Sequence, residues 1–322
     1  EYAARLESVF GALRVDPILG RVYLSVSGDD EGHLLVLDAE NLDVLESVPI
    51  PGRFTLRALD PQRHLLYLAT RDGQVQIWSA TGGALAERAA LVSAPPPSQE
   101  IHRLFLGPED TPLFTGSLYR SDDGSKTWQR INNGLPRRGV QEVVVSPDFT
   151  EDETIFAALA ATDEGLGIWR STDAGLSWRM ANRGLSDLAV TNLAISPDFA
   201  VDQTLFATAR RGGLFRSTDG GQSWVRLTER YYPSENYPQP PGDVFVSPAY
   251  GQDRTVFVAH DGLRRSTDGG ETWTRTLPGI SSLAFSPDFA TDHSLFGWSG
   301  SGGVLRSTDG GDTWQAASAG LS

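Results

Sequence analysis

Three observations predict an all-β fold built from repeated four-stranded units. First, an eight-residue motif recurs. It reads STDGGQSW at 217–224, STDGGETW at 266–273 and STDGGDTW at 307–314, with looser copies STDAGLSW at 171–178 and SDDGSKTW at 121–128. Second, its tryptophans are evenly spaced: Trp128, Trp178, Trp224, Trp273 and Trp314 stand 50, 46, 49 and 41 residues apart. Third, each copy lies within four short β-rich runs separated by turn residues. Four strands in roughly 40–45 residues is the pattern of a propeller blade.

The unit at 192–226 shows the order. Its strands are NLAIS, TLFATA, GLFRS and SWVRL, with SPDFAVD, ARRGG and STDGG between them. The same order fills 102–132, 142–182, 243–277 and 282–318. The first hundred residues lack the motif but keep the rhythm. ALRVDP, RVYLSV, HLLVLDA and DVLESVPI occupy 12–50, and TLRALDP, HLLYLAT, VQIWSAT and ALAERAAL occupy 55–91. The expected fold is thus a single seven-bladed β-propeller with four antiparallel strands per blade. Blade boundaries fall near 10–52, 53–98, 99–136, 137–186, 187–240, 241–280 and 281–322. The final AGLS matches NGLP at 133–136 and RGLS at 183–186, so the seventh unit is expected to be complete in itself. Closure would then rest on blade-to-blade packing, with Tyr2–Ser8 as an added edge strand.

Composition narrows the function classes. The 322 residues are 39% hydrophobic and 21% charged, which are globular values. No run of eighteen apolar residues occurs, so direct membrane insertion is not expected. The net charge of −14 repels phosphate backbones, which argues against nucleic acid as a partner. Lysine occurs once, at Lys126, and the abundant arginine reads as a compositional bias. The absence of cysteine excludes disulfides, thiolate catalysis and cysteine metal sites. The chain begins at Glu1 and its one methionine is Met180, which points to a processed chain or a piece of a longer one.

The repeated motif suits a turn. Its aspartate can accept backbone N–H bonds, its glycine tolerates positive φ, and its hydroxyl residues can satisfy remaining groups. The tryptophan can open the outer strand, pack between neighbouring sheets and keep its N–H for a partner. A structural role is therefore assigned to Ser121, Asp123 and Trp128; to Ser171, Asp173, Gly175 and Trp178; to Ser217, Asp219, Gly221 and Trp224; to Ser266, Asp268, Gly270 and Trp273; and to Ser307, Asp309, Gly311 and Trp314. Ser125 and Ala174 depart from the consensus, a drift that turns absorb.

A second element, SPDFxxD, places Asp148 with Asp152, Asp198 with Asp202 and Asp288 with Asp292. Paired carboxylates can hold calcium, but SPAYGQD keeps only Asp253 and no DxDxDG loop occurs. A proline-started turn with a capping aspartate is the favoured reading. The five histidines, His33, His64, His102, His260 and His293, fall in different units. No metal and no other cofactor is expected.

The motif copies resemble Asp-boxes, also called BNR repeats, and residues 21–52 resemble the YVTN-type repeat of bacterial surface propellers. Together the resemblances cover nearly the whole chain. They imply a propeller and leave function open, since sialidases, xyloglucan-hydrolysing enzymes, sortilin-type receptors and photosystem II assembly factors share the box. They also imply that the box hairpin lies away from the ligand face. A sialidase would bring an arginine trio and an Arg-Ile-Pro segment, and this chain lacks that segment. Ligand-side arginines are Arg53, Arg71, Arg210 and Arg211. Ligand-side carboxylates are Asp29, Asp30, Glu31, Asp163, Glu164 and Asp261, and none forms a distinguished pair for glycoside hydrolysis.

Ligand contacts are expected on loops that do not repeat. ERAALVSAPPPSQE reads as a stiff spacer between the two blade types. LTERYYPSENYPQPPGD at 227–243 is the longest link and holds Tyr231, Tyr232 and Tyr237. Arg210, Arg211, His260, Asp261 and Trp298 are the other candidate ligand residues, forming an aromatic and arginine cluster of the kind that interfaces use. The leading expectation is a non-catalytic binding or scaffold module, extracellular, on the cell surface or periplasmic. It would recognise a protein or glycan as part of a larger chain or complex. The alternatives are a glycoside hydrolase, sialidase-like or xyloglucanase-like, a glycan-binding lectin, or an assembly factor for a membrane complex.

Overall fold

The computed structural model describes residues 13–16, 19–26, 31–39, 43–51, 54–60, 65–70, 75–80, 85–91, 104–106, 113–115, 118–121, 129–136, 140–159, 165–211, 213–227, 242–259, 262–277, 280–286, 288–299 and 303–316. The chain divides into two compact units. One comprises Glu1–Leu106, Ser121–Trp128 and Ser282–Ser322; the other comprises Gly107–Arg120 and Gln129–Ser281.

The first unit contains a sheet of strands Leu13–Asp16, Arg21–Val26, Glu31–Asp38 and Val44–Pro51, paired antiparallel in chain order. A second sheet has Phe54–Asp60, Leu65–Thr70, Val75–Ser79 and Ala86–Leu91 in the same order. A third has Ile280–Phe285, Leu295–Ser299, Gly303–Ser307 and Gln315–Ala316. Successive strand residues face opposite sides of a sheet, and the first sheet buries both sides. Tyr23, Leu34, Val36 and Ile50 pack on Phe54, Leu56, Leu66, Leu68 and Trp78 of the second sheet. Val22, Leu24, Leu35 and Leu37 pack on Phe296, Trp298 and Val304 of the third. The continuous apolar run Leu34–Leu37 follows from this two-sided burial, so the C-terminal sheet meets the N-terminal one through side chains.

The second unit holds three further four-stranded antiparallel sheets. Their strands are Val140–Val145, Ile155–Leu159, Gly167–Ser171 and Arg179–Met180; Val190–Ile195, Leu205–Ala209, Gly213–Ser217 and Val225–Arg226; and Val244–Val246, Val256–Ala259, Leu263–Ser266 and Thr274–Leu277. Strands Tyr119–Ser121 and Gln129–Arg130 also pair, Tyr119 opposite Arg130. Every residue of the second strands Ile155–Leu159 and Leu205–Ala209 is buried, whereas the two-residue fourth strands are exposed.

Between the first two strands of four of the sheets, the SPDF segment (SPAY in one) forms one helical turn: α1 (Phe149–Asp152), α2 (Phe199–Asp202), α3 (Tyr250–Asp253) and, in the first unit, α4 (Phe289–Asp292). The turn serves packing. Phe199 meets Phe156 of the preceding sheet edge-on at 5.8 Å, and Tyr250 meets Phe206 in the same way at 5.8 Å. The first aspartate makes no side-chain cap bond. The second closes the loop: Asp152 accepts the Ser146 hydroxyl at 2.7 Å and the Thr154 N–H at 2.8 Å. Asp202, Asp253 and Asp292 repeat these bonds.

Two positions test how tightly the sheets pack. Gly221 has φ +79°, and a β-carbon there would stand 2.7 Å from Phe156 Cε1 of the preceding sheet. Ala174 occupies, at φ +55°, the left-handed position held by Gly220, Gly269 and Gly310 in the other turns. Gly221→Ala is expected to destabilise by about 2–3 kcal/mol, combining left-handed strain with overpacking. Ala174→Gly is expected to be neutral or stabilising by up to about 1 kcal/mol. Urea denaturation of the two variants checks both signs.

Candidate functional site

The repeated motif closes on itself. In 217–224 the Ser217 hydroxyl donates to Asp219 Oδ1 at 2.8 Å and accepts the Gly221 N–H at 2.9 Å. Asp219 Oδ1 accepts the Ser223 N–H at 2.9 Å, and Oδ2 accepts the Ser223 hydroxyl. The same bonds join Ser171, Asp173, Gly175 and Ser177; Ser266, Asp268, Gly270 and Thr272; and Ser307, Asp309, Gly311 and Thr313. The first glycine position, or Ala174, donates its N–H to the residue after the helical turn. The pairs are Ala174 with Glu153, Gly220 with Gln203, Gly269 with Arg254 and Gly310 with His293. Box and helical turn thus share one end of each sheet. Of the copy at 121–128, only the strand end Ser121 is described, and Asp123 and Trp128 lie outside the described residues.

The box also holds its neighbour. Trp178 Nε1 donates to Ile131 O at 2.7 Å, and Trp224 Nε1 donates to Ala181 O at 2.8 Å, each reaching the chain that precedes its own sheet. Trp178, Trp273 and Trp314 also bond to Gly175 O, Gly270 O and Gly311 O within their own turns. The arginine just before the box reaches the next turn along. Arg120 donates to Ala174 O at 3.1 Å, and Arg216 donates to Gly269 O at 2.7 Å and pairs with Glu271 at 2.8 Å. Arg170 lies over the Phe156 ring at 5.6 Å. Burial lowers its pKa, against an opposing pull from Asp152 and Asp219. These arginines had no signal of their own in an arginine-rich sequence; their fixed place before the box is what marks them.

The other end of the sheets carries the second-to-third strand hairpins and the links between sheets. Here Asp187 joins a link to a hairpin. Its Oδ1 accepts the Ala189 N–H at 3.0 Å and its Oδ2 accepts the Arg211 N–H at 2.8 Å. Arg210 N–H donates to Ala189 O at 2.9 Å. An open pocket of about 400 Å³ lies between these segments, lined by Ser186, Asp187, Leu188, Arg211 and Arg226. The link presses on the preceding sheet: Gly167 N–H bonds Leu188 O at 2.9 Å, and a β-carbon on Gly165 would overlap that oxygen.

Of the candidate ligand residues, Arg210 and Arg211 are exposed at the hairpin tip, and Arg211 lines the pocket. Tyr231, Tyr232, Tyr237, His260 and Asp261 lie outside the described residues, as do Arg53, Arg71, Asp29, Asp30, Asp163, Glu164, Tyr2–Ser8 and most of the 87–100 spacer. Trp298 requires a correction. It is in strand Leu295–Ser299 opposite Val304, 7% exposed, and packs among Val22, Leu24, Leu35 and Leu37. The strand runs on through Trp298, so its ring is core and not loop. Sequence reasoning missed Asp187, Ser186 and Arg226. Asp187 carried one faint signal, a lone aspartate two residues before the buried start of a first strand.

The box hydrogen bonds predict an acid dependence. Asp309 is held at about 2 by the hydroxyl and N–H of Thr313, and Asp173 is lowered chiefly by the Ser177 hydroxyl. For Asp219 and Asp268, burial pulls upward, but the serine and threonine bonds outweigh it and the pKa still falls. A depressed folded-state pKa contributes stability above the unfolded value of about 4 and loses it as pH falls through the folded value. Denaturation midpoints should therefore drop between pH 4 and about 2, and Asp309→Asn should make that drop shallower. A midpoint-against-pH curve identical for variant and parent would show that the Asp309 bonds do not differ between folded and unfolded chains.

The BNR/Asp-box repeat family matches at residues 264–275. Among solved structures, the chain is similar to the GH74 xyloglucanase from Xanthomonas campestris at 18% identity and TM-score 0.65, covering 95% of this chain and 54% of the enzyme. The chain thus spans about half the length of that enzyme. It is also similar to the RRP9 WD40 repeats at 14% identity and TM-score 0.65, covering 91% of this chain and 88% of that one. The computationally designed Ika8 protein aligns at 13% identity and TM-score 0.60, covering 96% and 86%. No curated protein matches the sequence. At these identities the likeness speaks for the fold, and with the box geometry it gives one conclusion: the chain is a β-propeller that carries BNR/Asp-box repeats.

Proposed function

We propose that the chain is a non-catalytic binding propeller, exported or held at the cell surface, that recognises a protein or glycan ligand at the end of its blades opposite the Asp-boxes. The observation that carries this reading is where the repeated acidic side chains are engaged. Asp173, Asp219, Asp268 and Asp309 close box turns, and Asp152, Asp202, Asp253 and Asp292 close helical turns. At the other end Asp187 and Arg211, which have no counterpart in the other units, gather with Ser186 and Arg226. A single ring of seven blades would take one blade from each of the seven four-stranded sheets, the strands between 104 and 130 forming one of them. Packing of the C-terminal sheet on the N-terminal one supports its closure. The first two blades would be YVTN-like in origin. Among the described residues no helix is long and apolar enough to cross a membrane.

A glycoside hydrolase is the second reading, favoured by the likeness to the xyloglucanase. A panel of fluorogenic glycosides separates the two, since turnover of any of them would overturn the binding module. For the binding module, Tyr231→Ala and Tyr232→Ala should weaken capture on a glycan array or in a protein pull-down while leaving the melting temperature nearly unchanged. Normal binding by both variants would remove the 227–243 segment from the ligand site.

A further inference from the structure

We propose that the pocket of Ser186, Asp187, Leu188, Arg211 and Arg226 is a subsite for an anionic sugar unit, a pyranose bearing a carboxylate or a sulfate. The inference deepens the reading of this end as the ligand end and rests on it. Local charge comes first. The chain carries 41 acidic and 27 basic residues, yet two of the five lining side chains are arginines, and exposed Arg210 adjoins one of them. Guanidinium is the side chain whose planar fork matches carboxylate and sulfate oxygens two at a time.

The one acid in the pocket is already engaged. Each carboxylate oxygen of Asp187 accepts a backbone N–H, from Ala189 and from Arg211. Asp187 is therefore a positioning residue that fixes the backbone from which Arg211 extends. Arg226 comes from the fourth strand, where it stands opposite Phe215. Two cations from separate segments thus line one opening.

The lining then selects the rest of the ligand. Four of the five residues are polar, and Leu188 is the single apolar one. No apolar well receives a peptide side chain, whereas hydroxyl groups find Ser186, guanidinium donors and carboxylate. The volume of about 400 Å³ lies at the small end of ligand-sized cavities. Arg226 is followed by Leu227, which is buried and whose N–H donates to Leu214 O at 2.7 Å. That bond anchors the backbone that carries Arg226.

The test is calorimetric titration of the full chain with glucuronate, glucose 6-sulfate and glucose, at low and at high salt. Glucuronate or the sulfate should bind and glucose should not; which anion binds more tightly identifies the preferred acid. Affinity should fall with salt, as for a partly exposed charge pair. Arg211→Ala and Arg226→Ala should each weaken binding by about tenfold or more, the scale of a charge-assisted hydrogen bond. Arg211→Lys should retain part of it, and melting temperatures should stay unchanged. Equal binding of glucose and glucuronate, or capture of an acidic peptide through these arginines without uronate or sulfate binding, would overturn the assignment. Glycan-array binding lost in Tyr231→Ala but kept in Arg211→Ala would sink the anionic subsite and leave the ligand end standing. Binding kept in both would sink the two together.

Discussion

A glycine pressed against an apolar side chain of the chain before its own sheet is the constraint on which the described structure turns. A β-carbon on Gly221 would stand 2.7 Å from Phe156, and one on Gly270 would stand 2.7 Å from Leu227 with Phe206 in ordinary contact behind it. The glycine can approach because the serine hydroxyl and aspartate carboxylate hold the box shut. The aromatic ring is fixed in turn by a second contact, Phe199 or Tyr250 from the helical turn. Hydrogen bonds that look local therefore govern packing between sheets. Interiors packed at this density respond to a single methyl group.

Most of this architecture was legible in the sequence, because period-two runs, turn residues and a motif at blade spacing leave few alternatives. The strands of 12–50 and 55–91 fall within a residue or two of the positions read from their patterns. The helical turns read only as turns, since four residues carry no helical periodicity and their phenylalanine looks like any loop apolar. Trp298 shows the opposite error. Glycines around it suggested a loop, but a strand with both faces buried tolerates Gly297 and continues. The site was far less legible. Asp187 ties the nearby Ala189 amide to the Arg211 amide 24 residues away, and no spacing rule encodes that second bond.

The end proposed to hold ligand lies opposite the end whose carboxylates close turns. The box end spends its carboxylates on its own turns, so variation there disturbs folding before binding. The opposite end is held by single bonds such as those of Asp187, and its side chains are open to change. A scaffold arranged in this way can acquire new ligands by editing links while its repeats stay the same.

The arginine before each box has a consequence for assembly. Arg120 and Arg216 extend forward to the following turn, and Trp178 and Trp224 reach back. Each sheet therefore has a donor side and a receiver side, like a tile with a tab and a slot. Contacts of this unlike-sided kind either curve shut or continue indefinitely. The joint between the first and last sheets is of another kind: Phe296, Trp298 and Val304 meet Val22, Leu24, Leu35 and Leu37 with no box on the receiving sheet. The first and last sheets thus meet through plain apolar packing in place of tab and slot.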